Sequence, residues 1–208
     1  MRYLTGLILF SWLLSSGIAA DRKLGIVGKK APELAISHWI GPDGKQIKPI
    51  QLKDWHGKVV VMEFWQSWCP GCHAHGLPTL KKVADRFSQQ SEVKFLTVQT
   101  VFEGRQANTK DKLREVQQRH KLKMPMGHDA GSAKSGNRSV VMQRYRSGGT
   151  PWCVIVDQEG IVVFNDFHIR PEEAILKITE LLKRKPRLQG RESSSSTIST
   201  AKETTPKK

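Results

Sequence analysis

Two cysteines separated by two residues, Cys69-Pro70-Gly71-Cys72, are where this 208-residue chain concentrates its chemical capacity. A thiolate is the species that attacks a disulfide. Cysteines one helical turn apart can close an internal disulfide without strain, so such a pair can alternate between dithiol and disulfide. The flanking sequence supplies the means of holding one sulfur ionised. Residues 58–65 (KVVVMEFW) are a continuous β-branched and aromatic run, the pattern of a strand buried on both faces. Beyond the pair, Leu77, Leu80, Ala84 and Phe87 recur at three- and four-residue steps, one apolar stripe of a helix. Pro70 suits the first turn of that helix, where no amide hydrogen bond is lost. A strand thus delivers Cys69 to a helix N-terminus, whose free amides and partial positive charge favour a thiolate.

Other chemistries use the same residues. A zinc site wants a second ligand pair, but Cys153 is the only further cysteine. His73 and His75 stand two apart and diverge on a helix, which leaves Cys69, Cys72 and His75 as the poor remaining metal set. Cys69-Pro70-Gly71-Cys72-His73 also spells the pattern of covalent haem attachment. That pattern is short, and a strand ending just before Cys69 is not the helical shell that encloses a haem. A haem- or metal-binding carrier is therefore a rival reading, and no cofactor or metal is expected. Glu63 is a lone carboxylate inside VVVMEFW. Buried there, its pKa would rise towards neutrality, and it could accept the proton of Cys72. A partly exposed Glu63 paired with Lys58 is the competing arrangement.

The elements that must position these residues are legible along the chain. Residues 34–39 and 48–52 flank Gly41-Pro42-Asp43-Gly44, a strong turn signal, and read as a lead-in hairpin. Residues 93–99 are a second strand, 109–120 a charged helix carrying Leu113 and Val116, and 124–127 a short strand. Residues 139–145 read as a short helix broken by Gly148-Gly149. Residues 153–157 and 161–165 form a hairpin about Gln158-Glu159-Gly160. Residues 171–185 form a closing helix that starts at Pro171 and turns Ile175, Ile178, Leu181 and Leu182 inward. The expected class is α/β, a central mixed sheet flanked by helices on both faces, with an N-terminal β-hairpin extension.

Phe64-Trp65-Gln66-Ser67-Trp68-Cys69-Pro70-Gly71-Cys72 resembles the active-site stretch of the thioredoxin superfamily, and Thr150-Pro151 before a strand resembles its second signature. The likeness covers about residues 25–185 and implies a thioredoxin-like fold. The lead-in hairpin and N-terminal segment resemble those of the TlpA-like, membrane- or periplasm-associated disulfide reductases. The resemblance implies Cys69 as attacking thiol, Cys72 as resolving thiol, and Pro151 as a cis-proline facing the pair. It also implies Glu63 as the buried acid, with Trp68, Pro70, Gly71 and Thr150 in contact with substrate. Trp65 is expected to wall the site or pack beneath it, and His73 to tune the thiolate or lie on the surface. Cys153, two residues past Pro151, shares its strand face and reads as an inert core cysteine in preference to a third redox thiol.

Departures from the pattern carry information. Pro70-Gly71 is neither thioredoxin's Gly-Pro nor the Pro-His of strongly oxidising relatives, which leaves the potential open. The family's helix-kinking proline usually follows the second cysteine by five residues, whereas Pro78 follows Cys72 by six; a local bulge would absorb the extra residue. Residues 132–138 look like a small insertion. A second rival is a thiol peroxidase: the related peroxiredoxins resemble Pro-x-x-x-Thr-x-x-Cys, but Met62 and Gln66 occupy those places before Cys69.

The ends set the compartment. Arg2, the apolar stretch 4–14 (LTGLILFSWLL), and the small residues Ser15-Ser16-Gly17-Ile18-Ala19-Ala20 have the order of a secretory signal. Residues 1–20 are read as a signal peptide, with an uncleaved anchor as the alternative. Residues 21–185 form the thioredoxin-like domain, and 186–208 a basic Ser/Thr-rich tail too polar to bury a core and expected to be disordered. Three cysteines are too few for a secreted disulfide scaffold, so the thiols read as working groups. The formal charge of +15 gathers towards the tail with no nucleic-acid motif beside it. No nucleic-acid partner is expected, only weak contact of the tail with an anionic membrane surface. The sequence therefore predicts a periplasmic or otherwise extracytoplasmic thiol–disulfide oxidoreductase, acting as a protein disulfide reductase. Its expected partners are protein dithiols or disulfides and a membrane or envelope thiol donor. Apo-cytochromes and other envelope proteins are the substrates that the resemblance implies.

Overall fold

A computed structural model describes residues 23–184. The predicted signal or anchor and the predicted tail lie outside the described residues. Seven strands form one sheet: β1 His38–Ile40, β2 Gln46–Ile47, β3 Val59–Trp65, β4 Val93–Thr100, β5 Met126–Asp129, β6 Trp152–Val156 and β7 Val162–Asp166. Their spatial order is β2-β1-β5-β4-β3-β6-β7. The central β3, β4 and β5 run parallel, and the strands on both flanks are antiparallel. Among the described residues four α-helices accompany them: α1 Leu77–Arg86, α2 Asp111–His120, α3 Val140–Tyr145 and α4 Pro171–Lys183.

Every residue of β3 is buried, which is why its sequence shows no polar alternation. The pleat nevertheless sorts the side chains. Val59, Val61 and Trp65 join Leu77 and Leu80 of α1, Leu113 and Val116 of α2, and Ile178 and Leu181 of α4 in one core layer. Val60, Met62 and Phe64 join Leu34, Trp39, Leu96 and Tyr145 in the other. Glu63 has the parity of Val61 and Trp65, so the strand aims it under the helix that follows the cysteines.

The lead-in hairpin differs from its prediction. Leu34 and Ile36 are buried, but Ala35 takes a left-handed backbone with φ of 54°, and the extended run starts only at His38. Residues 48–52 leave the sheet and enter a 3₁₀ turn, Leu52–Trp55. The cause is Glu33, whose carboxylate accepts the amides of Leu52 at 2.7 Å and Lys53 at 2.9 Å and so competes with sheet pairing. The hairpin is the edge of the main sheet, because β1 pairs antiparallel with β5. Helix α3 ends at Arg146, which adopts φ of 51°. Gly148 and Gly149 have another purpose: a Cβ on Gly148 would come within 2.6 Å of Leu24 and 2.9 Å of Phe167.

Candidate active site

Beyond β3 the chain turns, with the Cys69 amide donating to the Gln66 carbonyl at 3.2 Å. Pro70 and Gly71 then begin the helix, and the Cys72 amide donates to Cys69 Sγ at 3.2 Å. One of the free donors of a helix start is thus aimed at the sulfur. Cys69 Sγ lies 3.5 Å from the carbonyl oxygen of Thr150, and the Thr150–Pro151 bond is cis. Cys69 is 6% exposed and Cys72 fully buried. All three cysteines are free thiols. Burial pushes the Cys72 thiol well above its ordinary range, and its hydrogen bond with Cys69 pushes the same way.

The helix does not run regularly from Pro70 into α1. Residues Cys72–Gly76 form a π turn, which accommodates one residue more than an α turn. This is the bulge that the late position of Pro78 calls for. It brings Gly76 down on the sheet: a Cβ there would collide with Glu63 Oε1 and stand 2.7 Å from Pro151 Cβ. A Cβ on Gly71 would stand 3.3 Å from Pro151 Cδ. Two glycines therefore let the redox helix lie directly on the cis-proline and the carboxyl group. Glu63 is 4% exposed, and burial alone pushes its pKa up to about 8. This excludes the exposed arrangement with Lys58. Cys153 faces Glu63 across the β3–β6 ladder. Burial, with Glu63 adding to it, pushes that thiol well above the usual value.

Sequence reasoning missed the residues that hold the loop between β3 and Cys69. Asn108 accepts the Ser67 amide at 2.8 Å and donates to Gln66 Oε1 at 3.1 Å, Gly104 O at 3.0 Å and Glu103 O at 3.2 Å. Gly104 adopts φ of +57°, and a Cβ on it would come within 2.8 Å of Trp68 Nε1. The Trp68 indole, 46% exposed beside Cys69, therefore rests on bare backbone. Gln99 donates to Ser67 Oγ at 2.6 Å. Nothing in the sequence marks Asn108, a loop residue distant along the chain. Gly76 did carry a signal, as a glycine inside a helical stretch, which implies close approach of another backbone or side chain. Phe167, 41% exposed, packs edge-on to Trp152 at 4.7 Å and extends the apolar surface next to the cis-proline loop.

Both ring nitrogens of His73 are engaged, Nε2 with the Ser67 carbonyl at 2.8 Å and Nδ1 with His120 Nε2 at 2.8 Å. The ring also meets Trp65 edge-on at 6.4 Å. His73 therefore braces the redox loop in place of offering a free haem ligand. His75 packs against His168 at 5.6 Å. Among the described residues no group of three His, Cys, Asp or Glu side chains is arranged to hold a metal.

Comparison with solved structures places this arrangement in a class. A thioredoxin-like superfamily protein is 32% identical, with a TM-score of 0.67 over 75% of this chain and 97% of its own. A thiol-disulfide isomerase from Corynebacterium glutamicum is 27% identical, with a TM-score of 0.64 over 74% of this chain and 98% of its own. Thiol-disulfide oxidoreductase ResA of Bacillus cereus (strain ZK / E33L) is 26% identical over 150 residues, 72% of this chain and 75% of the relative. The chain is a thiol–disulfide oxidoreductase of thioredoxin-like fold. The AhpC/TSA family model matches residues 27–165, and the chain belongs to that family.

Proposed function

We propose that this oxidoreductase reduces disulfides of exported proteins through Cys69 and Cys72. Cys69, as the thiolate, attacks one sulfur of a substrate disulfide. The other substrate sulfur leaves as a thiolate and takes up a proton from solvent. Cys72 then attacks the Cys69 sulfur, its proton passing directly or through one water to Glu63 in its ionised form, which is the minor form until the pH reaches about 8. The second substrate sulfur leaves Cys69 as a thiolate and takes up a proton from Glu63 or solvent, and the pair becomes a disulfide, two electrons having moved to the substrate. A dithiol donor in the membrane or envelope returns the pair to the reduced form. A carboxyl group with a pKa near 8 is suited to exchanging a proton with a thiol around neutral pH.

The observation that carries this reading is the setting of Cys69 Sγ between the Cys72 amide and the Thr150 carbonyl, next to cis-Pro151. Carbonyl and amide groups of the 149–151 loop can pair with an extended substrate segment, while Trp68, Pro70 and Gly71 border it. The apolar, small-residue order of the N-terminal segment supports an extracytoplasmic location, by export or by tethering. No helix among the described residues is long and apolar enough to cross a membrane.

The test is a Cys72→Ala variant. It is expected to trap substrate proteins as mixed disulfides on Cys69, while the wild type reduces a model protein disulfide in the presence of a thiol donor. Absence of both trapping and reductase turnover, with rapid peroxide consumption in their place, would transfer the reading to the peroxidase branch.

A further inference from the structure

On the side of the sheet where β1 meets β5, a half-open cleft of about 640 Å³ lies outside the redox site. Small-molecule sites commonly fall between about 300 and 1,000 Å³. Two histidines form its floor. His38 and His128 are directly opposed across the β1–β5 ladder, with ring centroids 6.5 Å apart. Lys110, Lys134 and Arg144 come to the same cleft from three different segments. Among the described residues neither Lys110 nor Lys134 forms an ion pair, and Arg144 gives a hydrogen bond to the Glu33 carbonyl.

Among the described residues Asp129 is the one carboxylate in the lining, and it is committed elsewhere. It accepts from Ser139 Oγ at 2.7 Å, the Val141 amide at 2.8 Å and the Gly131 amide at 3.0 Å. Even counting it in full, two positive charges remain. A phosphate monoester carries close to two negative charges at neutral pH, with three strong acceptor oxygens. We propose that this cleft binds a small dianionic oxyanion of the phosphate class, free or as an ester, between Lys110, Lys134, Arg144 and the His38–His128 floor.

The tautomer of His128 fits this role. Gln99 spends its amide nitrogen on Ser67 Oγ, so its oxygen faces His128 Nδ1 at 2.6 Å and requires a proton there. Nε2 then carries the lone pair in the neutral ring and makes no hydrogen bond among the described residues. An oxyanion in the cleft draws a proton onto Nε2 and turns it into a donor, with the Gln99 bond intact. Burial opposes that proton most in the empty cleft, followed by His38 and Lys110. Asp129 favours it at His128, and Asp111 favours one at His38. An anion in the cleft offsets that opposition by accepting from Nε2 directly and by neutralising Lys110. Binding is therefore coupled to proton uptake, and the Gln99–Ser67 bonds connect the floor of the cleft to the loop before Cys69.

The experiment uses the full chain with inorganic phosphate, glycerol 3-phosphate and sulfate as separate probes and glycerol as the neutral control. Calorimetry at pH 6.5 in two buffers of different ionisation enthalpy reads affinity and proton uptake together. The proposal expects saturable binding of the dianions, no glycerol binding, and net proton uptake with sulfate, which has no proton of its own to release at pH 6.5 as the phosphates do. Lys110→Ala and Lys134→Ala, each confirmed folded by circular dichroism, are expected to weaken binding about tenfold. Tighter glycerol 3-phosphate than inorganic phosphate assigns the ester, and the reverse assigns the free anion. Binding that is absent at 10 mM of every probe, or that survives both lysine substitutions, overturns the proposal.

Discussion

At the scale of single residues, the site depends on groups kept away from their ordinary ionisation. Glu63 has no charge partner to offset its burial, so its carboxyl group holds a proton to about pH 8. If it takes the Cys72 proton as the mixed disulfide resolves, Glu63→Gln should leave the first attack by Cys69 nearly unchanged. Resolution should slow by roughly 100-fold, the lower range for a lost general base. Rapid-quench counting of mixed disulfide and released product separates the two steps, and equal slowing of both would remove Glu63 from the resolving step. Cys153 makes the contrast. It is buried in the core layer, facing Glu63, with its proton retained by burial, so a thiol-alkylating reagent applied to the reduced native protein should label Cys69, at the helix start beside the exposed Trp68, and spare Cys153. Mass spectrometry of the labelled peptides reads this directly, and labelling of Cys153 at a comparable rate would mean that the core layer opens.

At the scale of elements, the two that define the site were legible, and the contacts locking them together were not. The VVVMEFW run and the apolar stripe from Leu77 to Phe87 announced β3 and α1 because each has a period of its own. Pro78 even announced the irregular turn, since its distance from Cys72 does not suit an unbroken helix. Long-range partners leave no such trace. Asn108 binds the redox loop only because the fold brings two loops together, and Glu33 diverts residues 48–52 from the sheet by the same kind of distant hydrogen bonding. These unread contacts should matter energetically. Asn108→Ala leaves the half-buried Ser67 amide and the buried Gln66 side chain without their partner and should cost about 1–3 kcal/mol, with reductase turnover falling further than stability. Gly76→Ala forces a methyl group into Glu63 and Pro151 and should cost about 1–3 kcal/mol by overpacking. Urea unfolding checks both, and a Gly76→Ala protein of unchanged midpoint would show that the π turn can move aside at no expense.

At the scale of the whole molecule, the sheet order and the site lie on one central strand, and the buried titratable groups sit on both sides of it. Their linkage gives the pH profile of stability a definite shape. Glu63 has a folded pKa above its unfolded value near 4.5, so the stability associated with it is complete below pH 4.5 and is lost as pH rises through about 8. The slope in that window approaches 1.4 kcal/mol per pH unit, roughly the value for a single proton. His128 acts in the opposite sense. Burial, then His38 and Lys110, lower it from 6.5 to about 4, so stability is lost as pH falls from 6.5 towards 4. His38 and His120, also lowered chiefly by burial, add to that acid limb. Between pH 4.5 and 6.5 the two trends oppose each other, and above 6.5 the carboxyl group acts alone until Cys72 and Tyr145, both raised by burial, extend the decline into alkali. Urea unfolding from pH 4 to 9 should therefore show a broad maximum near pH 6, with Glu63→Gln flattening the alkaline side and His128→Asn the acid side. If each substitution moved both limbs together, the pH dependence would belong to the charge of the whole surface and not to these buried groups.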